Sequence, residues 1–258
     1  MDLPPITNGF ELVYRKPRTL TETPMHYCPG CGHGVVHRVL MEVIEEMGIQ
    51  DRTIGVAPVG CSVFAYDYMN VDMQEAAHGR ASAVATGIKR VLPDRFVYSY
   101  QGDGDLAAIG TAETIHTVNR GENILMVFVN NAIYGMTGGQ MAPTSILGMK
   151  TTTSPFGRES KLAGHPLKIT NLIAQLPGAF YVTRHAVHTA TAVRKLKKAI
   201  HSSFEYQLLD KGTCFIEVLS NCPSGWKMTP VESNKWLEEN MFPIYPLGDL
   251  KTPSQTMN

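Results

Sequence analysis

The chain has 258 residues, 43% of them hydrophobic and 18% charged, enough for one large α/β domain or two small ones around a substantial core. Its 23 Lys+Arg balance 23 Asp+Glu, so charge gives no argument for nucleic acid or an anionic membrane surface as partner. No apolar run reaches the roughly 18 residues of a membrane span, and residues 1–18 are Pro-rich and polar without the apolar core of a signal peptide, so a cytoplasmic location is expected.

Residues 1–24, with Pro4, Pro5, Pro17 and Pro24, read as an extended arm, and residues 25–258 as a single domain. Cys28-Pro29-Gly30-Cys31-Gly32-His33 opens that domain. Val35, Val39, Leu40, Val43, Ile44 and Met47 then share one face of a helix, which Gly48 is placed to end. A short strand over 53–57 follows. A helix rich in small residues over 78–92 stops before Pro93. Strand 96–100 runs into Gly102-Asp103-Gly104, and a helix over 107–119 leads to an apolar strand over 124–129, which suits a buried parallel position. Residues 131–166 form a long loop rich in Gly, Thr, Ser and Pro. Loops of this length in compact domains are usually lids, binding surfaces or partner contacts. Helix 169–176, strand 180–184, amphipathic helix 189–209 and strand 213–219 complete the pattern. This β-α alternation predicts a doubly wound, mostly parallel sheet flanked by helices, with no internal repeat.

Gly102-Asp103-Gly104 ends one strand and Asn130-Asn131 ends the next, with 25 residues (105–129) between them. One helix and one strand fit that interval, so both turns come to one edge of the sheet, where open α/β sheets bind ligands. An aspartate and an asparagine oxygen are hard ligands for a small divalent cation such as Mg²⁺, and a backbone carbonyl and a diphosphate can complete an octahedron. Glycine lets backbone approach phosphate oxygens without a Cβ in the way. The competing reading is two ordinary strand-end turns with an Asn in the left-handed region. With its two elements at this spacing, the sequence resembles the thiamine diphosphate enzymes, whose cofactor motif pairs Gly-Asp-Gly with a later Asn or Asn-Asn.

The five cysteines are Cys28, Cys31, Cys61, Cys214 and Cys222. In a reducing cytosol they read as metal ligands or buried thiols rather than disulfides. Cys28 and Cys31 precede a helix, Cys61 follows a strand, and Cys222 follows the last strand, so these four can converge on the same sheet edge. Four thiolates suit Zn²⁺ or a [4Fe-4S] cluster. The cysteines alone favour zinc. Beside a thiamine diphosphate site the preference reverses, because a cluster accepts electrons and zinc does not. Cys214 sits inside an apolar strand and reads as a buried thiol. His33 and His37 have metal-ligand spacing but read as packing or surface residues, since four thiolates already fill a cluster. His78-Gly79-Arg80 opens a helix where His78 and Arg80 are candidates to meet a phosphate or a substrate carboxylate. No Ser/His/Asp arrangement stands out, as expected where a cofactor carries the chemistry.

The stretches HYCPGCGHG, VGCSVFAYDY, AAHGRASAVATGIKR, YQGDGDLAAIG and FVNNAIYGMTGGQMAPT together resemble the β subunit of the 2-oxoacid:ferredoxin oxidoreductases, from about Thr23 onward. The wording VAPVGCSVFAYDYMNVD looks most like the 2-oxoisovalerate (branched-chain) members, with the 2-oxoglutarate members next. The resemblance implies a thiamine diphosphate-binding fold of the pyrophosphate type. It also implies oxidative decarboxylation of a 2-oxoacid to acyl-CoA and CO₂ in anaerobic metabolism, with electrons passed through a [4Fe-4S] cluster to ferredoxin. The implied cluster ligands are Cys28, Cys31, Cys61 and Cys222, and the Mg²⁺ ligands are Asp103, Asn131 and the carbonyl of Ile133. Gly102, Gly104 and Asp105 would line the diphosphate with Tyr134, Gly135 and Thr137 nearby, and Cys61, Ser62 and His78 would edge the pocket. An α subunit would supply the glutamate that activates the cofactor ring, and smaller γ and ferredoxin-like δ subunits would complete the assembly. Two other readings remain open. One is a non-redox thiamine diphosphate decarboxylase or synthase subunit with a structural Cys₄ zinc site. The other is a non-enzymatic Cys₄ zinc module that serves assembly.

Overall fold

The structure is a computed structural model that describes residues 13–253, so the start of the predicted arm lies outside the described residues. Helix α1 (His33–Glu46) leads to β1 (Thr53–Pro58), the single turn α2 (Ala65–Tyr68), β2 (Asp72–Ala76), α3 (Ala81–Val91), β3 (Phe96–Gly102), α4 (Thr111–Asn119) and β4 (Leu125–Asn130). Next come a small hairpin of β5 (Ile133–Tyr134) and β6 (Gln140–Met141), then α5 (Ser160–Ala163), α6 (Ile169–Ala174) and β7 (Ala179–Ala186). The chain finishes with α7 (Ala190–Leu208), β8 (Thr213–Leu219), α8 (Pro223–Trp226), α9 (Pro230–Trp236) and β9 (Gly248–Lys251).

The main sheet has seven strands in the order β2-β1-β3-β4-β8-β7-β9, parallel throughout except for β9, which runs antiparallel to β7. Both faces are covered. On one, Val36, Leu40 and Ile44 of α1 and Leu196, Ile200 and Phe204 of α7 pack on Tyr98, Tyr100, Val127 and Ile216. On the other, Ala85 of α3, Val118 of α4 and Ile173 of α6 pack on Val97, Met126, Phe128 and Phe215. Successive residues of β3 and β4 therefore enter opposite cores, as the two-residue period of a strand requires. Every residue of β4 and β8 is buried, which is why these segments read as continuous apolar runs. Each large apolar side chain so buried contributes about 1.5–3 kcal/mol. The doubly wound, mostly parallel sheet expected from the alternation is the fold observed.

Helix α7 starts one residue later than the periodicity suggests because Thr189 caps it, accepting a hydrogen bond from the Ala192 amide. Helix α3 starts after Arg80 rather than at His78, since Gly79 has φ of 77° and its N–H is held by the Asp105 carboxylate. A π-helical turn over Asp105–Ile109 precedes α4. Several elements are additional. Strand β2 is a polar, largely exposed edge that apolar periodicity cannot reveal. Helix α9 has a capping box in which Thr229 and Glu232 satisfy each other's backbone amides, with Pro230 in the first turn.

The loop over 131–166 is ordered from within. Arg158, 6% exposed, donates hydrogen bonds to the carbonyls of Ala142, Pro143, Ser145, Ala163, Gly164 and His165. A third apolar cluster, including Ala132, Ile133, Trp226, Leu237, Met241 and Tyr245, joins this loop to the C-terminal helices. Residues 13–24 run along the domain, with Thr19 donating to the Met41 carbonyl at 2.7 Å and Leu20 bridging to Met69. No helix among the described residues is long and apolar enough to cross a membrane.

The order of strands positions the site. β1, β3, β4 and β8 are adjacent and parallel, so their carboxyl ends lie along one edge. From β1 the chain continues outward to β2, and from β3 it continues the other way to β4. The crevice that opens between such diverging connections is where ligands bind in these sheets.

Candidate active site

The turn after β3 carries Asp103 and the turn after β4 carries Asn131, each 5% exposed. Asp103 Oδ1 accepts the Gly104 amide at 2.9 Å, while Oδ2 accepts the Ile133 amide at 3.0 Å and the Thr144 hydroxyl at 3.2 Å. Burial pushes the Asp103 carboxyl up to about 7, against the pull of these three hydrogen bonds. With its nitrogen inward, the Asn131 amide donates to the Ile133 carbonyl at 2.8 Å and to Asp103 Oδ2 at 3.3 Å. With its oxygen inward, the amide oxygen lies beside a carboxylate oxygen and a carbonyl oxygen, and these three oxygen types are a donor set suited to a hard cation.

The backbone is bent to make this possible. Ala132 holds φ at 57°, so the left-handed residue of the turn is Ala132 and neither asparagine. Asn130 is fully buried, and its Oδ1 accepts the Ala132 amide at 3.0 Å while its Nδ2 donates to Glu217 at 2.7 Å. The two asparagines thus divide the work: Asn130 shapes the turn and Asn131 faces Asp103. Trp226 donates its indole N–H to the Asn131 carbonyl at 3.1 Å and ties α8 to the same turn.

Beside these groups lies a cavity of about 160 Å³, lined by Cys61, His78, Gly102, Asp103, Gly104, Asp105, Asn131, Ile133, Tyr134, Gly135 and Thr137 together with His33, Val59, Gly60, Ile109 and Met136. A Cβ on Gly102 would meet no atom within 4 Å, so the strand end faces open ligand space. Asp105 is committed to the protein: its carboxylate engages His78 Nδ1 at 2.8 Å, the Gly79 amide, and Gln101 at 2.7 Å. It holds His78 at the wall rather than presenting an oxygen to a ligand.

Two expected residues do not reach the cavity. Arg80 turns to Glu113 at 2.8 Å, because the αL turn at Gly79 points its side chain along α3 and α4. Ser62, 2% exposed, lies outside the lining. His37 is a packing residue as expected, donating to or accepting from Tyr27 Oη at 2.9 Å. His33 is buried too, but it also forms part of the cavity wall, with Nδ1 paired to Tyr100 Oη at 2.9 Å. Its position one turn before His37 on the inner face was readable; its contact with the cavity required knowing where β3 ends.

Cys28, Cys31, Cys61 and Cys222 come to the same edge. The Cys28–Cys31 turn closes through the Cys31 amide and Cys28 carbonyl at 3.0 Å, and Asn221 grips it by donating to the Gly30 carbonyl at 3.0 Å. A Cβ on Gly135 would lie 3.0 Å from Cys222 Sγ and 3.8 Å from Cys61 Sγ, so the cavity wall and the thiols share one glycine. Burial, reinforced by neighbouring thiols, pushes Cys31 up to about 11 and Cys61 and Cys222 up to about 12. Among the described residues, no three His, Cys, Asp or Glu side chains close into a tight metal-binding group. Cys214 is a buried thiol on β8, away from this edge.

Residues 58–218 match the family model of the thiamine pyrophosphate enzyme C-terminal TPP-binding domain. Over 94% of its length the chain is 43% identical to ketoisovalerate oxidoreductase subunit VorA of Methanothermobacter marburgensis. It is 37% identical to 2-oxoglutarate synthase subunit KorB of Methanocaldococcus jannaschii, over 88% of this chain and 82% of that protein. The chain belongs to the thiamine pyrophosphate-binding subunits of the 2-oxoacid oxidoreductases. Among solved structures, it is similar to a chain of the 2-oxoglutarate:ferredoxin oxidoreductase from Magnetococcus marinus, described with 2-oxoglutarate, coenzyme A and succinyl-CoA bound. The TM-score is 0.70 and the identity 29%, covering 80% of this chain and 67% of that one. The chain spans about half the length, 53%, of the VorA proteins it matches.

Proposed function

We propose that this chain is the cofactor-binding subunit of an enzyme that oxidatively decarboxylates a 2-oxoacid to acyl-CoA and CO₂ and passes the electrons through a [4Fe-4S] cluster to ferredoxin. The observation that carries the reading is the closeness of the Asn131 amide to both the Asp103 carboxylate and the Ile133 carbonyl, on the same sheet edge as Cys28, Cys31, Cys61 and Cys222. In this reading Asp103, Asn131 and Ile133 hold Mg²⁺, which binds the diphosphate, and Gly102 and Gly104 let that diphosphate approach the backbone. Asp105 fixes the ring of His78 at the cavity wall. When bound, thiamine diphosphate supplies the carbon nucleophile for the 2-oxo group, a task no side chain of this cavity performs. The four cysteines would hold the cluster, with Cys61 at the cavity wall and Gly135 packed against the Cys222 and Cys61 thiols.

The cavity of about 160 Å³ is smaller than the roughly 300–1,000 Å³ typical of small-molecule sites, and no glutamate lines it among the described residues. Both facts support a partner subunit that completes the pocket and supplies the glutamate for the cofactor ring. Smaller γ and ferredoxin-like δ subunits and a cytoplasmic location belong to the same proposal. Relatives named for ketoisovalerate, at 43% and 42% identity, precede those named for 2-oxoglutarate, at 37%. This supports 2-oxoisovalerate as substrate. Comparing kcat/KM of the isolated complex for 2-oxoisovalerate, 2-oxoglutarate and pyruvate tests it: the branched acid should lead, and a preference for either of the others overturns the substrate assignment.

A further inference from the structure

Arg184 on β7 and Glu217 on β8 face each other in register, with side chains 2% and 1% exposed and Nε to Oε2 at 2.6 Å. Neither lines the cavity. A fully buried ion pair is weak evidence for a stabilising role, because its desolvation cost roughly cancels its attraction. Two arms lead from this pair to the proposed cation site, one through hydrogen bonds and one that begins with a cation–ring contact, and both end on the same oxygen. In the first, Glu217 Oε1 accepts from Asn130 Nδ2 at 2.7 Å, which orients the Asn130 oxygen to accept the Ala132 amide at 3.0 Å. Ala132 is thereby kept left-handed, and the next amide, Ile133 N–H, donates to Asp103 Oδ2 at 3.0 Å. In the second, the Arg184 guanidinium lies 5.5 Å over the ring of Tyr245 and donates to the neighbouring Pro246 carbonyl at 2.9 Å. Tyr245 Oη donates to the Thr144 carbonyl at 2.6 Å, and the Thr144 hydroxyl donates to Asp103 Oδ2 at 3.2 Å.

We propose that Arg184, Glu217 and Tyr245 are positioning residues for the cation that Asp103, Asn131 and Ile133 hold. The pair sets the turn after β4 from below, and through Tyr245 it makes the C-terminal segment part of the same device. Without the arms, the Ile133 carbonyl and the Asp103 carboxylate would have to find their mutual geometry on binding. Groups that orient ligands from behind typically govern about 10–100-fold in metal affinity. This inference rests on the Mg²⁺–diphosphate reading above.

The test uses the complex as isolated, stripped of metal with a chelator, and titrates Mg²⁺ calorimetrically at a fixed concentration of thiamine diphosphate. Tyr245→Phe removes only the hydroxyl of the second arm. The paired replacement Arg184→Met with Glu217→Leu removes both charges together, which avoids stranding one in the core. Each variant should weaken Mg²⁺ by about tenfold or more. In the Tyr245→Phe variant the buried Thr144 carbonyl also loses its donor, so the denaturation midpoint without metal should fall by the few degrees that one buried hydrogen bond is worth, and the Mg²⁺ affinity is the readout that separates the two roles. A purely structural role would move the midpoint and leave the affinity alone. If the unchanged complex binds Mg²⁺ with the diphosphate but Tyr245→Phe binds it equally well, the positioning role is wrong. If the unchanged complex binds none, the functional reading beneath it fails as well.

Discussion

Replacing Asp103 with asparagine should stabilise the metal-free protein while abolishing its response to cofactor. Burial raises the Asp103 carboxyl from 3.8 to about 7. Three units at about 1.36 kcal/mol each make the ionised group a burden of about 4 kcal/mol at pH 8 in the absence of a cation. The sign follows from the raised value: stability from this group is fully present below about pH 4 and is lost as pH rises through about 7. Asparagine removes the charge but must point its NH₂ at one of three donors, the Gly104 amide, the Ile133 amide or the Thr144 hydroxyl. That conflict costs about 1–3 kcal/mol, leaving a net gain of about 1–3 kcal/mol for the Asp103→Asn variant at pH 8. At roughly 2–4 °C per kcal/mol for a chain of this size, scanning calorimetry in chelator will resolve it. The unchanged protein should lose stability between about pH 4 and 7 in chelator, and saturating Mg²⁺ with thiamine diphosphate should restore it. The variant should show neither effect. A variant that is less stable than the unchanged protein at pH 8 without metal, or that still gains Tm with Mg²⁺ and cofactor, would refute the reasoning.

Gly102→Ala places a methyl where no atom lies within 4 Å, so unfolding should be unaffected while thiamine diphosphate binding, followed by calorimetry, weakens about tenfold or more as the methyl occupies ligand space. Gly79→Ala puts a Cβ 2.8 Å from the Gly110 amide nitrogen at φ of +77°. The left-handed backbone alone costs about 1–2 kcal/mol and the crowding about 1–3 more, visible as a lowered denaturation midpoint. Arg158→Ala leaves the carbonyls of the 142–145 and 163–165 loops without their donor and should destabilise by more than about 3 kcal/mol. Limited proteolysis should then cut first within 142–165.

The sheet was legible because its strands obey simple periods. The completely buried β4 and β8 read as apolar runs, and the helices of both cores show one apolar stripe each. The polar edge strand β2 was not legible, because its backbone pairs with β1 while its side chains face solvent. The pairing of β9 with β7 joins segments that share no local signal. At the site, Asp103 and Asn131 were readable from residue type and from the one helix and one strand between them. The division between Asn130 and Asn131 was not, since it depends on Glu217 reaching Asn130 from a strand 87 positions away. The contribution of Thr144 to Asp103 was hidden in the same way, as it depends on how Arg158 folds the long loop. Arg80 looked like a cation aimed at the site because its position beside His78 was read as continuous helix, whereas Gly79 breaks the direction between them.

The central claim is that Cys28, Cys31, Cys61 and Cys222 hold an electron acceptor beside the Asp103–Asn131 clamp. Iron and acid-labile sulfide in the anaerobically isolated complex, compared between the unchanged protein and its Cys222→Ser variant, test it most directly. The account predicts about four iron and four sulfide per copy of this chain beyond what the other subunits carry, lost in the variant. Zinc in their place without sulfide, or iron and sulfide unchanged by Cys222→Ser, would contradict it.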